Sequence, residues 1–264
     1  MIKAIFIDID GTLRNSKKEI TDITKETIGF VKKAGIKVVI CSGRARTYVE
    51  NVSKECNASE IIIASDGADV YDYKNNKSIY INSIPTKSCI ELYKLATKHN
   101  VAICIDTETG QVTNQEKLLS DTVQYDNDIE NTVMNSKIIH INFSDKDVDK
   151  MRRLLEDVRK IEGIQIGNND LFYNQVNYYI FVSNSNSNKG QGIAELCKKI
   201  NIELKDTIAI GDDFNDLDMF KVVGHSVAME NASENIKKVV DEITLSNDED
   251  GVAIFLDKLL KEIK

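Results

Sequence analysis

Two carboxylates, Asp8 and Asp10 of "IFIDIDGT", stand two residues apart, directly after an apolar run and directly before Gly11. A strand places residues i and i+2 on one side, so the pair is expected to crowd together where that strand ends. Like charges so placed repel one another and resist desolvation. A second acidic run, "TIAIGDDFND", delivers Gly211, Asp212, Asp213, Asn215 and Asp216 at the end of another apolar segment. Carboxylates that converge need a cation. A set of hard oxygen donors with no His or Cys favours Mg2+, which takes one or two carboxylates and leaves its other positions to water and phosphate.

Two further stretches supply complementary charge. "VVICSGRA" ends on Ser42, Gly43 and Arg44, presenting a hydroxyl and backbone N–H groups as a cradle for an anion, and "SNKGQG" puts Lys189 at a helix start. An anion beside Mg2+, a serine, a lysine and a carboxylate describes phosphoryl transfer, where catalysis is mostly positioning and charge neutralisation. In that chemistry Asp8 is the nucleophile and Asp10 gives, then takes, a proton. Arg44 either touches the substrate or serves as a surface or capping residue. "NKGQG" is not a nucleotide P-loop, because the G-x-x-x-x-G-K-[ST] order is missing. His99, His140 and His225 have no carboxylate or histidine partner in sequence and are expected to be structural.

Bringing positions 8, 42, 189 and 212 together requires parallel strands whose carboxyl ends share one edge of a sheet. The chain begins with such strands: "KAIFIDI", "IKVVICS" and "EIIIAS" are continuous β-branched runs. They alternate with amphipathic helices over residues 21–34, capped by Thr21 or Asp22, and "RARTYVENVSKEC". The texture then changes. "ADVYDYKNNKSIYIN" reads as a hairpin around Asn75-Asn76. From about Pro85 to Val182, short strands surround two helices, "CIELYKLATKH" and "DVDKMRRLLEDVRKI", as in an antiparallel sheet with helices on one face. After Lys189 the first texture returns, with a terminal helix at 250–263. The expected fold is α/β: a Rossmann-like parallel sheet with helices on both faces, residues 1–82 and 185–264, carrying an inserted α+β domain, residues 83–184. Tyr71, Tyr73, Tyr173, Tyr178 and Tyr179 gather near the insertion or its hinges, either as packing between layers or as a substrate platform.

Bulk properties agree. A chain of 264 residues with 42% hydrophobic and 29% charged residues can bury a large core or two modest ones. Its net charge of −8 argues against a general nucleic-acid or anionic-membrane binder. No run approaches the roughly 18 apolar residues of a membrane span, and Asp8 and Asp10 interrupt the only apolar N-terminal run, so a cytoplasmic protein is expected. The five scattered cysteines, Cys41, Cys56, Cys89, Cys104 and Cys197, form no metal-ligand pattern and read as small buried residues of a reducing compartment.

"DIDGT" (8–12), Ser42 in "CSGR", Lys189 in "NKGQG" and "GDDFND" (211–216) together resemble, in order, the four motifs of the haloacid dehalogenase superfamily. The insertion between the second and third resembles the C2 cap of its Cof-type, class IIB, hydrolases, and the resemblance spans essentially the whole chain. It implies a phosphatase of small phosphorylated metabolites, sugar phosphates or phosphorylated cofactors, working as monomer or homodimer through an aspartyl-phosphate on Asp8. It further implies Mg2+ held by Asp8, Asp212 and the main-chain carbonyl of Asp10, and phosphoryl oxygens bound by Ser42 and Lys189, with Gly11, Thr12, Gly43 and Arg44 beside the substrate. Asn215 and Asp216 orient phosphate and Lys189 or back the metal ligands; Asp213 backs them or starts a helix. The cap closes over the site and supplies substrate contacts. One position departs: "SDGA" (65–68) has Asp66 where the family usually shows Asn, and an ionised carboxylate there would weaken phosphate binding or change the loop's hydrogen bonds. Competing readings are a phosphomutase of the same superfamily and a weakly catalytic phospho-ligand sensor. A receiver-type signalling domain fits less well, since its acidic pair is adjacent and its phospho-acceptor lies on a later strand.

Overall fold

The computed structural model describes residues 1–116, 123–167 and 170–262. The chain divides into two compact units, Met1–Tyr80 with Asn188–Lys264, and Ile81–Ser187.

The first unit opens with β1 (Ala4–Ile7), α1 (Asp22–Lys33), β2 (Lys37–Cys41), α2 (Arg46–Glu55) and β3 (Ile61–Ala64), then a hairpin of β4 (Asp69–Asp72) and β5 (Lys77–Ile81). The inserted unit contains α3 (Thr86–His99), β6 (Ala102–Thr107), β7 (Gln111–Thr113), β8 (Val123–Tyr125), α4 (Ile129–Asn135), β9 (Ile138–Asp145), α5 (Val148–Val158), β10 (Ile164–Ile166), β11 (Phe172–Tyr173) and β12 (Tyr178–Asn184). The chain returns to the first unit through α6 (Lys189–Lys199), β13 (Thr207–Gly211), α7 (Leu217–Val222), β14 (His225–Ala228), α8 (Glu234–Lys237), β15 (Glu242–Ile243) and α9 (Gly251–Glu262). Residue 263, the last of the expected terminal helix, lies outside the described residues.

The sheet of the first unit runs β15-β14-β13-β1-β2-β3-β4-β5. Its strands from β15 to β3 pair in parallel, and β4 lies antiparallel on β3. Alternation along β1 sends its side chains to two different cores. Ile5 and Ile7 pack with Val38, Ile40, Ile208 and Ile210 under α1, α2 and α9, whereas Ala4 and Phe6 pack with Val39, Cys41 and Ala209 under α6 and α7. A strand buried on both faces must be apolar throughout, which is why "AIFI" has no polar residue. α1 starts where the Thr21 side chain accepts the Thr24 N–H, and Ile28 and Val31 anchor it below the sheet.

In the inserted unit the strand order is β10-β12-β9-β6-β7-β8, with β11 on β12. The β6, β9, β10 and β12 pairings are antiparallel, but β7 and β8 are parallel. Its core joins Ile103, Ile105, Ile141, Phe143, Ile180 and Val182 to Leu92 and Ala96 of α3 and to Met151, Leu154 and Val158 of α5. A third helix, α4, joins the two expected; Asp128 caps it by accepting the Asn131 N–H, and Ile129 and Val133 reach the same core. The opposite sheet face bears a ring cluster: Tyr179 and Phe181 stack at 5.8 Å, and Phe172 lies 6.1 Å from Phe181. All five cysteines are free, and burial pushes their thiols up, those of Cys56 and Cys197 to about 11. His99 contacts Asp157, and His225 contacts Glu242. Among the described residues no helix is long and apolar enough to cross a membrane.

Candidate active site

β1 and β13 are neighbours in parallel register, Ile7 opposite Ile210, so the residues that follow each strand emerge side by side. Asp8, just past β1, donates its N–H to the Ile210 carbonyl at 3.0 Å. Asp8, Asp212 and Asp216 each offer a carboxylate oxygen, and these oxygens lie within 4.8 Å of one another. Lys189 is fully buried among them, its Nζ donating to Asp8 Oδ1 at 2.6 Å and to Asp216 Oδ1 at 2.5 Å. Asn188 fixes the start of α6, accepting the Gln191 N–H on its side chain, and so places Lys189 in the first helical position.

One lysine among three carboxylates leaves the cluster negative. Burial pushes Asp8 up to about 8, against the opposing pull of Lys189 and with the Asp216 charge adding to the rise. Burial also lifts Asp212 to about 6; the hydrogen bond from Thr12 opposes this, while Asp216 and Asp213 add to it. Lys189 moves the other way: burial disfavours its charge, but Asp8 and Asp216 overcome that and hold it well above the ordinary ammonium value. These carboxyls are short of positive charge, and every donor is a hard oxygen, which fits Mg2+. The three are not equivalent. Asp216 is the most engaged, with Oδ1 on Lys189 and Oδ2 accepting the N–H groups of Asp212 at 2.8 Å and Asp213 at 3.0 Å. All three could offer an oxygen to a cation, and Asp8 and Asp212, which accept fewer hydrogen bonds, are the two side chains expected to do so.

The loop after β1 is shaped around Asp212. Thr12 Oγ1 donates to Asp212 Oδ1 at 2.7 Å. Gly11 adopts φ +82°, and a Cβ there would stand 2.2 Å from Asp212 Oδ2, so no side chain fits. Ser42 is buried at the end of β2, where its Oγ accepts the Arg44 N–H at 3.3 Å. Asp213 is exposed and caps the short turn Phe214–Asp216, accepting the Phe214 N–H at 2.7 Å.

Asp10 differs from the sequence expectation. β1 stops at Ile7, the chain turns, and the Asp10 carboxylate goes not to Asp8 but to Arg44, whose Nε donates to it at 2.9 Å, with Lys18 Nζ at 3.7 Å. Burial would raise this carboxyl, yet the Arg44 hydrogen bond and the charges of Arg44, Lys18 and Arg14 hold it below the ordinary range. Arg44 is thus engaged with an aspartate, and its guanidinium lies 5.4 Å over the Tyr48 ring.

Asn215 and Asp66 meet: Asn215 Nδ2 donates to Asp66 Oδ1 at 3.3 Å. Asp66 lies in a turn in which Ser65, Asp66 and Gly67 all have positive φ, at 53°, 49° and 85°. Its carboxylate occupies the space beside Gly43, where a Cβ would come within 2.8 Å of Oδ1. Asp66 therefore stands among the phosphate-cradle residues expected from the sequence. Asn231 was not anticipated. Its Nδ2 donates to the Gly11 carbonyl at 2.8 Å and reaches Asp212 Oδ2 at 3.4 Å. Nothing about an amide in "MENAS" marks it out.

Over residues 5–256 the chain matches the family model of haloacid dehalogenase-like hydrolases. It is 28% identical over 252 residues to the 5-amino-6-(5-phospho-D-ribitylamino)uracil phosphatase YcsE of Bacillus subtilis, spanning 96% of this chain and 93% of that one. To the phosphatase YwpJ of the same organism it is 27% identical over 286 residues, spanning 98% and 100%. The crystal structure of a haloacid dehalogenase-like hydrolase from Bacteroides thetaiotaomicron superposes with a TM-score of 0.82 at 27% identity, spanning 98% of this chain and 100% of that one.

Proposed function

We infer, for a chain that belongs to the haloacid dehalogenase-like hydrolase family, a Mg2+-dependent phosphatase of small phosphorylated metabolites working through an aspartyl-phosphate. The observation that carries this reading is the meeting of Asp8, Asp212 and Asp216 around the buried Lys189. Relatives named as phosphatases support it, one of them named for a phosphorylated ribityl chain on a uracil ring.

Asp8 is the nucleophile. Its oxygen attacks phosphorus while Asp10, protonated, delivers its proton to the departing alkoxide. Asp10, now ionised, then takes a proton from the water that attacks the phosphorus of the aspartyl-phosphate, releasing phosphate and restoring Asp8. Lys189 and Ser42 bind phosphoryl oxygens, and the N–H groups of the Ser42–Arg44 turn add to the cradle. The carboxylates of Asp8 and Asp212 and the main-chain carbonyl of Asp10 would hold Mg2+, which would supply charge neutralisation for the anionic reactants. Asp216 keeps Lys189 in place and ties the backbone at Asp212. For acid–base service Asp10 exchanges Arg44 for the leaving oxygen, which frees Arg44 for the substrate. The inserted unit serves as the cap, supplying contacts to the part of the substrate beyond the phosphate.

The test is release of inorganic phosphate from a panel of phosphate monoesters. Activity should vanish with EDTA and return with Mg2+. Asp8→Asn should lower kcat by about 10⁴-fold or more, the scale of losing a nucleophile. Hydrolysis by Asp8→Asn near the native rate would overturn the reading.

A further inference from the structure

The loop that follows the nucleophile strand is held from outside by a chain of amides. Asn231, in the connection after β14, donates through Nδ2 to the Gly11 carbonyl at 2.8 Å and lies 3.4 Å from Asp212 Oδ2. Its amide is not free to flip: Oδ1 accepts the Asn247 backbone N–H at 3.0 Å, which fixes Nδ2 toward Gly11 and Asp212. The Asn247 side chain in turn donates to the Arg14 carbonyl at 2.9 Å. On its other oxygen Asp212 accepts Thr12 Oγ1 at 2.7 Å, and the lack of a side chain at Gly11 lets that carboxylate lie where a Cβ would otherwise stand. Asp212 is therefore clasped by donors on both oxygens, while the Asp216 and Asp213 charges push against it.

We propose that Asn231 is a positioning residue for the cation site: by binding the Gly11 carbonyl and the Asp212 carboxylate together, it sets that carboxylate in the orientation in which it receives a divalent cation. The proposal rests on the reading that Asp212 is a cation ligand. A carboxylate beside other negative charges turns away unless a donor restrains it, and such restraint acts before the cation arrives. Its loss accordingly falls on cation affinity, whereas a cation once bound orients Asp212 by itself and the chemical step is preserved. Outer contacts of this kind change metal affinity by about 10–100-fold.

The experiment uses the intact chain and Mg2+ as the probe, reading thermal midpoint against Mg2+ concentration by scanning fluorimetry, with phosphate release as a second readout. Asn231→Ala should move the half-saturating Mg2+ concentration upward by about tenfold or more, while kcat at saturating Mg2+ stays within about twofold. Should Asn231→Ala fail to fold, Asn231→Asp keeps the shape, removes the donor and adds a like charge, and should shift the Mg2+ titration at least as far. Mg2+ titrations of the folded variants that overlay the wild type overturn the proposal. A kcat that falls in parallel at saturating Mg2+ overturns it as well, since Asn231 would then act on chemistry or fold. A wild-type protein with no thermal response to Mg2+ instead removes the cation site itself, a different failure from either of these.

Discussion

The two units handle charge in opposite ways. Among the described residues, Asp8, Asp69, Lys189 and Asp216 are charged and buried in the first unit, and only Asp106 in the inserted unit. Burying ions costs several kcal/mol each unless partners compensate, and partnered charges give less stability than apolar replacements of the same volume. The first unit carries that cost where its parallel strands end. The inserted unit instead keeps a plain apolar core between one sheet face and its helices, and leaves rings on the other face. Phe172 and Phe181 there remain 40% and 36% exposed, in contact with each other and with Tyr179. Exposed apolar side chains occur in both units, Phe30 and Phe214 in the first among them, but among the described residues only the inserted unit gathers exposed rings into one cluster. On the proposed function, buried charge in the first unit performs the chemistry, and the ring cluster is suited to discriminating among molecules that share a phosphate.

That division can be broken at either end. On the reaction side, Asp10→Asn should lower kcat by about 10²–10⁴-fold with a small change in KM, the range for losing general acid–base help. Single-turnover phosphate release measures it, and an unchanged kcat would show that proton transfer does not pass through Asp10. On the selection side, Phe181→Ala should raise KM by about two- to tenfold, the worth of one aromatic contact, and leave kcat within about twofold. Kinetics on the best substrate of the panel decide this, and a fall in kcat without a rise in KM would erase the boundary between the units.

The smallest effect concerns pH. Asp8 at about 8 and Asp212 at about 6 both lie above the ordinary carboxylate value of 3.8. At these two groups the folded, cation-free protein thus holds protons that the unfolded chain has released, and their contribution to stability falls as pH rises from about 4 through 8. Mg2+ displaces those protons, so its stabilisation should grow across the same window, reaching about 5 °C in thermal midpoint at pH 8 with Mg2+ in 100-fold excess over Kd. A Mg2+ shift equal at pH 5 and pH 8 would contradict the charge deficit.

The core strands were legible because a strand buried on both faces has to be apolar at every position, as β1 and β13 are. Asp8 and Asp212 were legible as carboxylates directly after apolar strands, and Lys189 and Asp216 became so only when the four motifs were taken together, since single strand-end or helix-start charges are often mere caps. What escaped were features set by contact rather than pattern. α4 has seven residues, two of them in the core, too few for a helical period to show. Asp10 was expected beside Asp8, but one early strand end turns it toward Arg44, and no rule of alternation survives a turn. Asn231 acts on residues 16 and 220 positions away, and an amide in a loop has no sequence signature at such separations.

The position of β1 between β2 and β13 also fixes an order of events during synthesis. Its first neighbour leaves the ribosome within a few dozen residues, but its second waits until residue 207, after the entire insertion has been translated. For that interval the apolar ribbon Ala4–Ile7 has one bare edge, the kind that recruits foreign strands. The nascent polypeptide is therefore both inert and most vulnerable until its final quarter emerges, and a product cut short before Thr207 should accumulate as aggregate rather than as a partial enzyme.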